Sequence, residues 1–69
     1  MIDTQMVYTT LRCGVELMRQ VKIIEMGKFP VRGWVCAMND ETFSIQHDSD
    51  TSVFTKHRYD SISEIALVT

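Results

Sequence analysis

Lys56, His57 and Arg58 form one run of basic side chains directly before Tyr59. Clustered cations beside an aromatic ring suit contact with a single nucleic-acid strand, where the cations meet phosphates and the ring meets a base face. Three charges on an edge strand also serve simply to keep it in solution. His57 alone reads as a surface or interface histidine rather than a base or a ligand. Asp40, Glu41, Asp48 and Asp50 are the acidic candidates for acid–base or cation chemistry. Asp48-Ser49-Asp50 begins like a calcium loop, but no glycine and no closing bidentate glutamate follow at the required spacing, so a solvated loop is expected. Cys13 and Cys36 belong to no CxxC pair and no Cys/His cluster, which points to two reduced, partly buried thiols and not to zinc. No nucleophile and base stand at a telling spacing, and no glycine loop could cradle a phosphate. No enzyme activity, catalytic residue, metal or cofactor is expected.

The chain that must position these groups has 69 residues, enough for one domain spanning 1–69. A chain of this size buries only about 60% of the surface it exposes when unfolded, so disulfides, metal or partner chains commonly supplement its core. Hydrophobic content of 45% with 23% charged residues excludes the disordered and low-complexity classes. The net charge of -2 lacks the whole-chain signature of a strong nucleic-acid binder, so any such contact must be local. No apolar run approaches the roughly 20 residues of a membrane span, and Asp3 stands where a signal peptide carries basic residues. The expectation is a cytoplasmic protein without a membrane partner.

Gly27 and Pro30 divide the chain into two periodicities. Before them, Met6, Val7, Leu11, Gly14, Val15, Met18 and Val21 recur at steps of three and four, which predicts an amphipathic helix over about 4–20, capped by Asp3 or Thr4. Arg12 and Arg19 fall on its polar side. Gly14 weakens a helix unless another backbone approaches closely, and close packing is expected there. After the helix the period is two, and five strands are expected at Val21–Met26, Val31–Met38, Thr42–His47, Val53–Arg58 and Ile62–Val68. Gly27–Pro30, Asn39-Asp40, Asp48–Thr51 and Tyr59–Ser61 supply the turns. Gly33 inside the second strand marks a bend or bulge. Trp34 alternates with Val35 and should point away from the core. The order reads as mainly β: an N-terminal α-helix followed by a strongly bent five-stranded antiparallel barrel.

Two segments of this chain resemble the motifs of the Sm-like family, which includes the Sm and Lsm proteins and bacterial Hfq. The first is Val31-Arg32-Gly33-Trp34-Val35 followed by Asp40-Glu41-Thr42-Phe43-Ser44-Ile45. Its Gly33-to-Asp40 spacing is one residue longer than the family pattern, unless Asn39 takes the Asp position. The second is His57-Arg58-Tyr59-Asp60-Ser61-Ile62-Ser63-Glu64-Ile65, with Tyr59 where the family has glycine. The resemblance spans residues 4–68 and implies an SH3-like Sm barrel. It also implies closed homo-oligomeric rings of about five to seven subunits, in which the fourth strand of one subunit pairs with the fifth strand of the next.

The resemblance further implies an RNA-binding role in RNA metabolism or regulation, with uridine- or adenine-rich single strands held around the pore. Carried over by position, the site comprises Asp40 orienting the loop, Thr42 at the stacking position, Ser44 at the amide position and Arg58 at the guanidinium position. Lys56 joins as a neighbouring cation, and Tyr59 as bulk or as a substitute stacking surface. Thr42 offers no π-face and Ser44 no bidentate amide edge, so this pocket departs from the family pattern. The alternative is an interaction or architectural module of the same fold that assembles but binds no nucleic acid. A Tudor-like reader would need Trp34, Phe43, Phe54 and Tyr59 to converge into a cage.

Overall fold

The computed structural model describes residues 3–47 and 53–68, which form one helix and five strands. Helix α1 runs over Thr4–Leu17, and strands β1 to β5 over Val21–Glu25, Val31–Met38, Thr42–Gln46, Phe54–Arg58 and Ile62–Leu67. A single 3₁₀ turn, Tyr59–Ser61, links β4 to β5. The strands lie within about a residue of the expected limits, while the polar loop expected at 48–51 lies outside the described residues. No helix among them is long and apolar enough to cross a membrane.

Asp3 caps α1 by accepting from the Gln5 amide at 2.9 Å. The helix stops three residues earlier than expected because Met18 turns into the left-handed region (φ 54°). The Arg19 amide then donates back to the Gly14 carbonyl at 3.0 Å, closing a Schellman-type end without glycine. The buried stripe is correspondingly narrower: Val7, Leu11 and Gly14 face the core, whereas Met6, Val15 and Met18 are exposed. Gly14 does pack closely, since a Cβ there would stand 2.8 Å from Val21 Cγ1.

The sheet is antiparallel throughout, in the order β4-β3-β2-β1-β5. Strand β2 serves two partners in turn. Val31 to Gly33 pair with β1, and Trp34 to Met38 pair with β3. The hand-over falls at Gly33, where the bend was expected, and a bulge follows between Val35 and Ala37. No ladder joins β4 to β5, so among the described residues the sheet is open, with these two strands as its edges. Val7 and Leu11 of the helix meet Val21, Ile23, Phe43, Ile45, Tyr59 and Ile62 in one core. Full burial of each such aliphatic or Phe side chain contributes about 1.5–3 kcal/mol. Trp34 points outward and is partly exposed, as the alternation with Val35 requires.

Candidate functional site

The β2–β3 turn is built on Asn39. Its Oδ1 accepts from the amides of Glu41 (2.9 Å) and Thr42 (2.8 Å) and from the Thr42 hydroxyl (3.1 Å). Short amide side chains organise turns in this way, by standing in for a backbone acceptor. Asn39 thus performs the loop-orienting role expected of Asp40, whose carboxylate is exposed beside it. We expect Asn39→Ala to lower stability by about 1–2 kcal/mol, since each net hydrogen bond contributes roughly 1 kcal/mol. Asp40→Ala should stay within about 0.5 kcal/mol in the same urea titration. Equal losses would return the role to Asp40.

Strand alternation divides the basic run. Lys56 and Arg58 share the exposed face of β4, but His57 turns inward and is only 6% exposed. Within the subunit His57 is thus a core residue rather than the surface or interface histidine expected from the sequence, and only two of the three basic side chains project outward. Arg58 is occupied as well: its Nε and an Nη each donate to one oxygen of the Asp60 carboxylate, both at 3.0 Å. This bidentate pair holds the guanidinium pKa up and the Asp60 pKa below its ordinary range.

Tyr59 is 8% exposed. Its ring stacks on Phe43 (centroids 5.4 Å apart) and meets the edge of Tyr8 (6.1 Å), and its hydroxyl donates to the Asn39 carbonyl at 2.7 Å. Burial pushes its phenol pKa up, with smaller contributions from Tyr8 and Asp40. The ring is a core element that ties the turn to the sheet, and the face turned to Phe43 is not open to a base. Trp34 and Phe54 are exposed while Phe43 and Tyr59 are internal, so the four rings form no cage.

Of the six sequence-derived positions, Asp40, Arg58 and Tyr59 come together in one cleft of about 230 Å³, completed by Thr4, Glu41 and Asp60. Three carboxylates face one guanidinium there, so the cleft is acidic. Thr42 is half-buried and bonded to Asn39, Ser44 is buried between Ala37 and Lys56 in neighbouring strands, and Lys56 projects separately from β4.

Other charges were not singled out by sequence. Lys22 and Arg32 stand directly opposite one another across β1 and β2, both exposed, and line a cleft of about 280 Å³ with Ala66, Leu67 and Val68. Neither has an acidic partner among the described residues. Like charges in direct opposition repel, so this pair makes a local positive patch. Strand alternation indicates that each is outward, but not that 10 residues of chain bring them together.

The second such feature runs from the buried His57 to the surface at Thr55. His57 Nδ1 meets the Glu25 carboxylate, and His57 Nε2 lies 2.6 Å from Thr55 Oγ1, which in turn lies 2.8 Å from His47 Nε2. The Ser61 hydroxyl (3.2 Å) and the Lys28 ammonium (3.8 Å) complete the surroundings of Glu25. The Thr55 hydroxyl has one proton, so it donates to one imidazole and accepts from the other. The chain of bonds runs from the end of β1 across to β4, two strands that share no ladder. It straps the edge strand to the far side of the sheet. Cys13 and Cys36 are free thiols, Cys36 being exposed and 3.5 Å from the Ser44 carbonyl. Comparison of the chain with protein-family models, with curated proteins and with solved structures finds no match in any of the three.

Proposed function

We propose that the chain is a subunit of a cyclic homo-oligomer of the Sm-like kind, with about five to seven copies, that contacts single-stranded RNA through phosphates near Lys56. The observation that carries this reading is the strand order: β4 and β5 are the two open edges, the pair that the family resemblance assigns to contact between subunits. Joining them head to tail removes both edges of every subunit and surrounds a small core with neighbours. The Glu25–His57 contact joins β1 to β4, two strands without a common ladder, which supports a barrel-like curvature of the sheet. Lys56 is exposed on β4 with no acidic partner among the described residues. Repeated around a ring, it forms a belt of positive charge that the net charge of one subunit conceals.

A second reading, assembly without nucleic acid, draws support from the acidic cleft around Arg58 and from the internal position of Tyr59. Fluorescence anisotropy with oligo-U and oligo-A separates the two. The RNA reading requires binding at low salt that weakens as salt rises, with a log–log slope near -0.7 per phosphate engaged. Lys56→Ala should reduce both affinity and slope. Absence of binding at low salt leaves the second reading.

A further inference from the structure

We propose that the outward face of the sheet across β2, β3 and β4 is a base-stacking platform for single-stranded nucleic acid, with Trp34 and Phe54 as its rings and Lys22, Arg32 and Lys56 as its phosphate contacts; this rests on the RNA reading above and assigns it a surface. Val31 and Val35 pack against the core, so alternation along β2 turns Arg32 and Trp34 outward together. Pairing carries that face across the sheet: Trp34 stands opposite Gln46, and Gln46 opposite Phe54. Neighbouring strands lie about 4.8 Å apart, so the two rings flank β3 at a separation of about 10 Å. Lys56 follows Phe54 on the same face of β4, while Arg32 precedes Trp34 and opposes Lys22. Among the described residues, Glu64, opposite Ile24, is the one acid on this face of the strands. Neither ring lies at a position that the family resemblance assigns to RNA.

Trp34 is 39% exposed and Phe54 56%, unlike Phe43 and Tyr59, which the core has absorbed. An aromatic face in water beside a cation suits a nucleotide, whose base covers the ring while its phosphate meets the charge. Lys22, Arg32 and Lys56 have no acidic partner among the described residues, so none must break an ion pair to bind. Arg58, by contrast, is held by Asp60. The excess of cations selects a polyanion, and the two rings select one with unstacked bases over a duplex or an acidic peptide. Closure of the strand edges by other copies lies in the plane of the sheet and leaves this face open. Stacking reads the π-face of a base and not its hydrogen-bonding edge. The platform therefore accepts any base, where the pocket implied by the resemblance would select among them.

Trp34 is the only tryptophan of the chain, so its emission reports on the platform in the unmodified protein. Titration with oligo-U, oligo-A and their deoxy counterparts at low salt should quench that emission in step with the anisotropy of the labelled strand. The four affinities should lie within about tenfold of one another. Phe54→Ala should weaken binding at least about fivefold with an unchanged circular dichroism spectrum. Arg32→Ala should reduce the log–log salt slope by about 0.7. Binding that leaves Trp34 emission unchanged, Phe54→Ala at the affinity of the unmodified protein, or a preference above about a hundredfold for one base would overturn the platform while leaving RNA binding intact. Emission that changes with protein concentration but not with oligonucleotide would assign the rings to contact with another copy of the chain, and would overturn it as well. Absence of binding to every strand at low salt removes the RNA reading and the platform with it.

Discussion

Gly33→Val is expected to leave the chain unfolded, or destabilised by about 3 kcal/mol or more, in urea titration followed by circular dichroism. Gly33 is where β2 leaves β1 and takes up β3, and the two segments approach there more closely than any side chain permits. A Cβ at this position would fall inside the contact radius of the Gln46 carbonyl oxygen and 2.8 Å from Ile45 Cγ2. The carbonyl belongs to the backbone of β3 and cannot rotate away, so relief requires separating the strands. Even Gly33→Ala should therefore be costly, in contrast to Gly27→Ala, where φ is 77° and no atom lies within 4 Å. That substitution meets only the left-handed backbone penalty, about 1–2 kcal/mol. A Gly33→Ala protein as stable as Gly27→Ala would show that the close approach at the bend is absent.

His57→Ala is the second large effect, with an expected loss of about 2–4 kcal/mol. Two contributions combine. The first is the cavity left beside Phe43, whose ring centroid lies 5.5 Å from that of the imidazole. The second is the Glu25 carboxylate, whose side chain is only 14% exposed and which would keep just Lys28 and Ser61. Their presence places the loss below that of a carboxylate left wholly unpaired. In a double-mutant cycle, Glu25→Ala and His57→Ala should be non-additive, with a coupling of roughly 1–3 kcal/mol. Because the bond chain straps β4 to β1, amide hydrogen exchange in Phe54–Arg58 should accelerate more than exchange in β1 and β2. Additive losses and uniform exchange would instead make His57 an ordinary space-filling residue.

Much of the fold was legible because it depends on local pattern. Phe43 and Ile45 alternate with Thr42 and Gln46, and a period of two places them in the core wherever the strand lies. Asp3 announced the start of the helix, and Gly33 the bend. The end of the helix was not legible: Val15 and Met18 continue an apolar step of three, and the left-handed Met18 has no glycine to signal it. The site was less readable because it depends on what lies across the sheet. Alternation within β4 separates His57 from Lys56 and Arg58, yet only the fold shows that Glu25, 32 residues away, receives it. Likewise, the choice between Asp40 and Asn39 required the turn geometry, since either short polar residue suits a turn after a strand. Arg58 kept its place in the motif but gained Asp60 as a partner two residues on, a competition that residue spacing alone does not resolve.

In the assembly proposed above, the two open edges are closed by other copies of the chain. Native mass spectrometry of the unmodified protein at micromolar concentration tests it most directly. The predicted result is one dominant species at about five to seven times the subunit mass of 8.0 kDa, without a ladder of open-ended intermediates. A chain found at 8.0 kDa across the same concentrations would contradict it.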